Sequence, residues 1–247
     1  MTVIRVFPDP AALAEAAARR VVESAQAAID ARGAFSIALS GGSTPRELHL
    51  KLSSKPLVDQ VDWQRVHMFF GDERCVPPDD PQSNYRMAEE TLLSRVPIRH
   101  ELLKIHRMRG ELPPEEAAVD YERELKAFFK DEPPRLDLIL LGMGDNGHTA
   151  SLFPGLTALH EQQRWVVAEY VAEVGMWRIT LTPVVINLAR EVLFLVAGAA
   201  KASMLHQVLE GPYAPDEKPS QIVRPSPGEV VWFVDAAAAE KLSRPPG

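Results

Sequence analysis

The chain has a single cysteine, Cys75, among its 247 residues. A disulfide framework within it is excluded, and a reducing cytosol is the expected setting. Cys75 has arginine beside it but no histidine near it in sequence, so it reads as a free or buried thiol rather than a nucleophile. No run approaches the ~20 apolar residues of a membrane helix. The opening MTVIRVFPDP lacks the apolar core of a signal peptide. Positive charge is not in excess: Lys and Arg number 27 against 34 Asp and Glu, for a net charge of −7. That balance gives no nucleic-acid footprint, and it means that an anionic ligand must be held by a few local cations. There is no G-x-S-x-G nucleophile elbow, no Walker A lysine, and no His/Cys cluster at metal-ligand spacing. Repeats, low-complexity runs and Gly/Ser-rich linkers are also missing. The expectation is a cytoplasmic protein in which residues 1–247 form one domain, with no membrane, nucleic-acid or obligate protein partner. A 46% hydrophobic content is enough for one large α/β core.

What is present alternates. Short apolar runs are expected as strands at residues 3–7, 35–39, 66–70, 136–141, 192–197 and 230–234, with a weaker one within 102–108. Helical stretches fall between them: Pro10 to Ala31 with Asp9 as N-cap and Gly33 as stop, Pro45 to Leu52, Ser83 to Arg95, Pro113 to Lys130, Pro183 to Ala189, and Ala199 to Leu209. Residues 166–171 and 177–181 also read as strands, and a short Ala-rich helix is expected after residue 234. Continuous apolar strands alternating with helices predict an α/β fold with a mostly parallel central sheet covered on both faces.

In such sheets ligands bind beyond the carboxyl ends of strands, and four of those ends are polar here. Ser40-Gly41-Gly42-Ser43-Thr44-Pro45 follows FSIAL. Its glycines permit close backbone approach, Thr44 has the place of an N-cap, and Glu47 would complete a capping box. It is either a phosphate cradle at a helix start or simply a well-made helix start. Gly71-Asp72-Glu73-Arg74 follows VHMFF and offers two acids and a cation, for sugar hydroxyls, a water or an anion, or for a local salt-bridged turn. Arg178 and Lys201, at two further strand-associated positions, are candidate cations for an anion, or ordinary surface charges.

The fourth end is Gly142-Met143-Gly144-Asp145-Asn146-Gly147, a literal match to the dinucleotide spacing G-x-G-x-x-G. Glu169 even lies near the distance of a ribose-binding acid. The chemistry disagrees. His148, Thr149 and Ser151 occupy positions where small apolar packing residues belong, and Pro154-Gly155 cuts the following helix short. The glycines would instead let the chain turn sharply and present His148 beyond a buried strand, as a general base.

Taken with their spacing, SGGSTP (40–45), FFGDERCVPPDDPQSNYRMA (69–88), LILLGMGDNGHTASLFPG (138–155), RITLTP (178–183) and LFLVAGAAKASML (193–205) resemble the 6-phosphogluconolactonases over nearly the whole chain. The related glucosamine-6-phosphate deaminases carry Asp-Glu-Tyr where this chain has Asp72-Glu73-Arg74. They also carry Asp-Gly-His and an Asn-Glu-Pro segment where it has Asn146-Gly147-His148 and SLFPG, and the differences point to the lactonases. The resemblance implies a three-layer, Rossmann-like α/β/α fold without a dinucleotide site. It implies hydrolysis of 6-phospho-D-glucono-1,5-lactone, a sugar-phosphate substrate, with no metal or organic cofactor. His148 would be the base. Arg74, or backbone N–H groups from Gly144 to Gly147 around Asn146, would meet the oxyanion. Asp72 would orient His148 or a sugar hydroxyl. The phosphate would lie on Gly41, Gly42, Ser43 and Thr44 with Arg178 and Lys201. A non-catalytic sugar-phosphate sensor would want an attached helix-turn-helix and a basic face, and the sequence displays neither.

Overall fold

The computed structural model describes residues 2–243. β1 (Thr2–Phe7) enters α1 (Pro10–Arg32), where the Asp9 carboxylate accepts a hydrogen bond from the Ala12 N–H at 2.8 Å and Gly33 closes the helix in the left-handed region. The buried stripe of α1 runs Leu13, Ala14, Ala17, Ala18, Val21, Val22, Ala25 and Ala28, the spacing of one helical face. β2 (Phe35–Leu39) is buried along its whole length, as a strand covered on both faces must be. Then follow α2 (Ser43–Leu52), β3 (Val66–Phe70), β4 (Asp72–Arg74), α3 (Asn84–Thr91), β5 (Lys104–Ile105) and α4 (Pro114–Phe129). The second half adds β6 (Leu138–Gly142), β7 (Val166–Val171), β8 (Met176–Leu181), α5 (Pro183–Ile186), β9 (Glu191–Val196), α6 (Ala202–Glu210) and β10 (Glu229–Asp235).

Seven strands form one sheet in the order β1-β10-β9-β6-β2-β3-β5, and every neighbouring pair is parallel. From β2 the chain moves outward to β3, whereas from β6 it moves the other way to β9. The order therefore reverses between β2 and β6, and a crevice opens beyond their carboxyl ends. β7 and β8 do not join this sheet. They form an antiparallel hairpin that pairs with β4 to make a second, three-stranded sheet. One face of the hairpin is wet, with Tyr170 and Trp177 paired across the strands and about half exposed, the habit of an antiparallel ribbon.

Several expected elements differ: the helix expected over 183–189 stops at Ile186, and residues 199–201 form a 3₁₀ turn ahead of α6. The 83–95 helix breaks at Leu92, whose ψ of −61° accompanies an extended φ of −134°, and continues only as a 3₁₀ turn. The expected strand within 102–108 shrinks to Lys104–Ile105. The Ala-rich segment after residue 234 is a series of turns. The Asp235 carboxylate takes the Ala238 N–H at 2.7 Å and also the Gly198 N–H at 3.0 Å, so it organises the end of β9 instead of starting a helix. A tyrosine fixes the end of β3. Buried Tyr121 of α4 accepts from the Phe70 N–H at 2.9 Å and donates to the Phe70 carbonyl at 3.1 Å, just before the Gly71 turn.

No helix among the described residues is long and apolar enough to cross a membrane.

Candidate active site

The carboxyl ends of β2, β3, β6 and β9, together with the small sheet, enclose a cavity of about 430 Å³. Every residue singled out in the sequence as a site residue lines it, except Gly147.

The loop after β2 is open. α2 begins at Ser43, two residues earlier than expected, so its N-cap is Gly42 (φ 103°), and no side chain caps the helix. Thr44 is therefore not the cap, and the capping box with Glu47 does not form. Pro45 sits in the first turn all the same, because any of the first few helical N–H groups is dispensable. The N–H groups of Ser43 and Thr44 have no internal partner among the described residues. Gly41 is required by space: a Cβ there would run into the Asn84 carboxamide. Asn84 in turn donates to the Asp72 carbonyl at 2.9 Å and to Asp72 Oδ1 at 3.1 Å.

Asp72 is buried, and its other oxygen accepts a 2.6 Å hydrogen bond from the Ser151 hydroxyl. It makes no hydrogen bond to His148, so the expected orienting role over the imidazole does not fall to it. Glu73 has a structural task. Its buried carboxylate collects the N–H groups of Arg74, Asn84 and Tyr85 and the Ser83 hydroxyl, holding the start of α3. Burial pushes its pKa up while those donors pull it down. Arg74 and Arg178 are direct cross-strand partners on β4 and β8. The Arg74 guanidinium donates to the Gln82 carbonyl, yet the Nε of both arginines is buried without a partner among the described residues. Burial and the neighbouring guanidinium lower the pKa of Arg178. Two adjacent cations with unspent donors on a cavity wall form an anion-seeking surface.

The loop after β6 is closed on itself. The Gly144 N–H bonds the His148 carbonyl at 2.8 Å, and the Gly147 N–H bonds the Gly144 carbonyl at 3.0 Å. Those two donors are therefore already engaged, and of the N–H groups from Gly144 to Gly147 only those of Asp145 and Asn146 remain for an oxyanion. Gly147 itself (φ 79°) faces Met204 and Lys218, away from the cavity, and serves the turn. Gly144 has a different reason to be glycine: a Cβ there would occupy the space of the His148 ring. The imidazole lies flat against Phe153, with ring centroids 3.9 Å apart and planes 16° apart. His148 Nδ1 meets Asn146 Oδ1 at 2.6 Å, and the His148 N–H reaches the same oxygen at 3.1 Å. Asn146 Nδ2 donates to Glu173 Oε2 at 2.8 Å. An amide with its NH₂ on a carboxylate presents its oxygen to the ring, so Nδ1 carries the proton and Nε2 keeps its lone pair.

Burial, assisted by Lys201 and Arg178 and opposed by Asp72 and Glu173, brings the His148 pKa down to about 4. The ring is neutral near pH 7, the state a base needs, but it is a weaker base than an ordinary histidine. Lys201 follows the Gly198 turn and forms a 2.6 Å ion pair with Asp145 across the mouth of the cavity. Cys75 is no nucleophile, since burial raises its thiol to about 11. Glu169 accepts from the Thr157 hydroxyl and the Ala158 N–H and does not line the cavity.

The profile of the family described as glucosamine-6-phosphate isomerases/6-phosphogluconolactonase matches residues 8–232. The chain belongs to this family. A 6-phosphogluconolactonase of a Nostoc species is 42% identical over 245 residues, covering 97% of this chain and 98% of that protein. The solved 6-phosphogluconolactonase of Trypanosoma brucei is 31% identical and superposes with a TM-score of 0.86 over 98% of this chain and 99% of its own. A monomeric glucosamine-6-phosphate deaminase, at 20% identity and a TM-score of 0.79 over 97% of this chain and 99% of its own, shares the fold.

Sequence reasoning missed four members of the site: Asn84, Ser151, Asp145 and Glu173. Asn84 and Ser151 lie inside the segments that carry the family resemblance, and their pairing with Asp72 is a tertiary fact. Asp145 stands in the glycine loop, where its partner Lys201 is distant in sequence. Glu173 had no sequence signal at all.

Proposed function

We propose that this chain is a lactone hydrolase that opens 6-phospho-D-glucono-1,5-lactone to 6-phospho-D-gluconate, in the oxidative pentose phosphate pathway, by His148-assisted attack of water. The family relationship supports the substrate class. The observation that carries the chemistry is the imidazole held by Asn146 with a free Nε2, in a cavity lined also by Arg74, Arg178 and Lys201.

His148 Nε2 takes a proton as the water oxygen bonds to C1. The carbonyl becomes an oxyanion, met by Arg74 or by the Asp145 and Asn146 N–H groups. The oxyanion collapses, the bond from C1 to the ring oxygen breaks, and the imidazolium returns its proton to that oxygen. The carboxylic acid formed then ionises. Lactone carbonyls are reactive, so a weak base and a modest oxyanion donor suffice, and no covalent intermediate or cofactor is called for. The phosphate lies over the start of α2 with Arg178 and Lys201. Its negative charge offsets the two cations that depress His148, so substrate binding raises the basicity of the imidazole. We take residues 1–247 as one catalytic domain acting in the cytoplasm.

The test is hydrolysis of freshly generated 6-phosphogluconolactone with the spontaneous rate subtracted, beside ammonia release from glucosamine 6-phosphate. Accelerated lactone loss without ammonia is expected. Ammonia release would replace the proposal with deaminase chemistry, and binding of sugar phosphate without either reaction would make the protein a sensor.

A further inference from the structure

We propose that Glu173 is a positioning residue of this site: by holding the Asn146 amide it decides which nitrogen of His148 carries the proton. The inference rests on the lactonase reading for its kinetic consequence, but not for its structural one.

Glu173 lies in the short connection between β7 and β8, far in sequence from the glycine loop, and borders the cavity. Among the described residues its carboxylate has a single side-chain partner, Asn146 Nδ2, at 2.8 Å. An asparagine amide is nearly symmetric in shape, and a half-turn about its last bond exchanges oxygen for NH₂. With oxygen toward the ring, Nδ1 is protonated and Nε2 accepts. With NH₂ toward the ring, Nδ1 must accept, the proton moves to Nε2, and the atom facing the substrate can no longer take a proton from water. A carboxylate accepts only, so Glu173 admits only the first arrangement. The His148 N–H, also directed at Asn146 Oδ1, favours the same arrangement at 3.1 Å, so loss of Glu173 weakens the preference without abolishing it. Glu173 never touches the ring. Its influence passes through the amide, in the way a partner one step removed fixes the tautomer of a metal-bound histidine.

The charged groups around His148 are Asp72 on β4, Arg178 on β8, Lys201 after β9 and Glu173 itself, with Asp145 paired to Lys201. Glu173 and Asp72 favour the charged imidazole and the two cations oppose it, so removing Glu173 also moves the acid limb of the pH profile to lower pH.

The experiment compares Glu173→Ala, Glu173→Gln and Asn146→Asp, alone and combined. The readouts are nitrogen NMR of the His148 ring in the resting protein and steady-state kinetics on the lactone. Glu173→Ala is expected to raise the Nε2-protonated fraction and to lower kcat about 3–10-fold with KM within about twofold, the scale of one ordinary hydrogen bond, as suits a solvent-exposed carboxylate. Glu173→Gln, whose amide oxygen can still accept from Asn146, is expected to restore the tautomer and most of kcat while leaving the acid limb shifted. In Asn146→Asp a carboxylate holds Nδ1–H directly, so adding Glu173→Ala is expected to change neither tautomer nor kcat, a coupling that a double-mutant cycle reads out. An unchanged ring tautomer in Glu173→Ala overturns the proposal. So does a kcat loss that persists in the Asn146→Asp background, or a rise in KM alone, which would make Glu173 a substrate contact. If the protein opens no lactone, the NMR comparison still decides the tautomer question while the functional reading fails separately.

Discussion

Two glycine-rich loops face each other across the switch point, and they use glycine for opposite purposes. After β2, Gly41 and Gly42 expose the backbone: the helix start has no side-chain cap, and the N–H groups of Ser43 and Thr44 are free for a ligand. After β6, Gly144 and Gly147 spend their N–H groups within the loop, and Gly144 clears the space that the His148 ring fills. One loop offers its backbone and the other offers a side chain. The dinucleotide spacing in the second loop is thus a by-product of a tight turn that carries a histidine. If the division holds, damage to the β6 loop appears in kcat and damage to the β2 side appears in KM.

The largest effect is expected from the side chain that the closed loop exists to present. His148→Ala should lower kcat by about 10²–10⁴-fold, the usual contribution of a general base, with KM little changed. Near-normal turnover would remove His148 from the base role and leave the closed loop without a chemical purpose.

Gly144→Ala is the sharper test, because it deletes nothing. Its added methyl group meets the imidazole, so the ring must move while its chemistry stays intact. A shift of about 1 Å can cost 10²-fold in rate, and a loss of that order in kcat is expected. The counterpart, Gly41→Ala, meets the Asn84 carboxamide at the β2 loop and should raise KM more than it lowers kcat. Equal kcat losses in the two variants would dissolve the distinction between the loops.

Lys201→Ala is expected to raise KM about tenfold or more, since a hydrogen bond between charged groups contributes ~1.5–3 kcal/mol, while kcat falls much less. It should also move a pH limb. The acid limb of kcat/KM reports the free enzyme, so it should lie near the His148 value of about 4, with activity falling as pH drops through it and the ring protonates. Lys201 is one of the charges that lower that value, so its removal should shift the limb to higher pH. A limb that stays fixed would separate Lys201 electrostatically from His148.

Much of this is legible in the sequence. Alternating apolar strands and helices predicted the parallel sheet, and the buried runs FSIAL, LILLG and EVLFLV now occupy its middle. Polar strand ends located the cavity, because burial forces polar chemistry to the rim of such a sheet. Three things were not legible. The cap of α2 was placed at Thr44 because a proline fits the first helical turn in more than one register. The N–H groups from Gly144 to Gly147, expected beside Arg74 as oxyanion donors, narrow to those of Asp145 and Asn146, because the folded loop engages its two glycines. The hydrogen bonds from Ser151 and Asn84 that set Asp72, and the Glu173 carboxylate that holds the Asn146 amide against His148, join separate segments, for which local pattern carries no information.

The smallest expected effect bears on the seam between the loops. Asp145 belongs to the closed loop, yet its 2.6 Å ion pair holds Lys201, the cation proposed to serve the phosphate over the open one. In the unliganded protein that carboxylate, held below its usual pKa first by its hydrogen bond to Lys201 and then by the lysine's charge, competes with the incoming phosphate. The Asp145 side chain is 78% exposed, so water screens the pair and its worth is only ~0–1 kcal/mol. Asp145→Asn is therefore expected to lower KM, and to strengthen competitive inhibition by inorganic phosphate, by at most about fivefold, with kcat unchanged. The direction is what matters. A lower KM makes Asp145 a competitor that the substrate displaces, whereas a higher KM would mean that it positions Lys201 for the phosphate and that the two loops act as one ligand site.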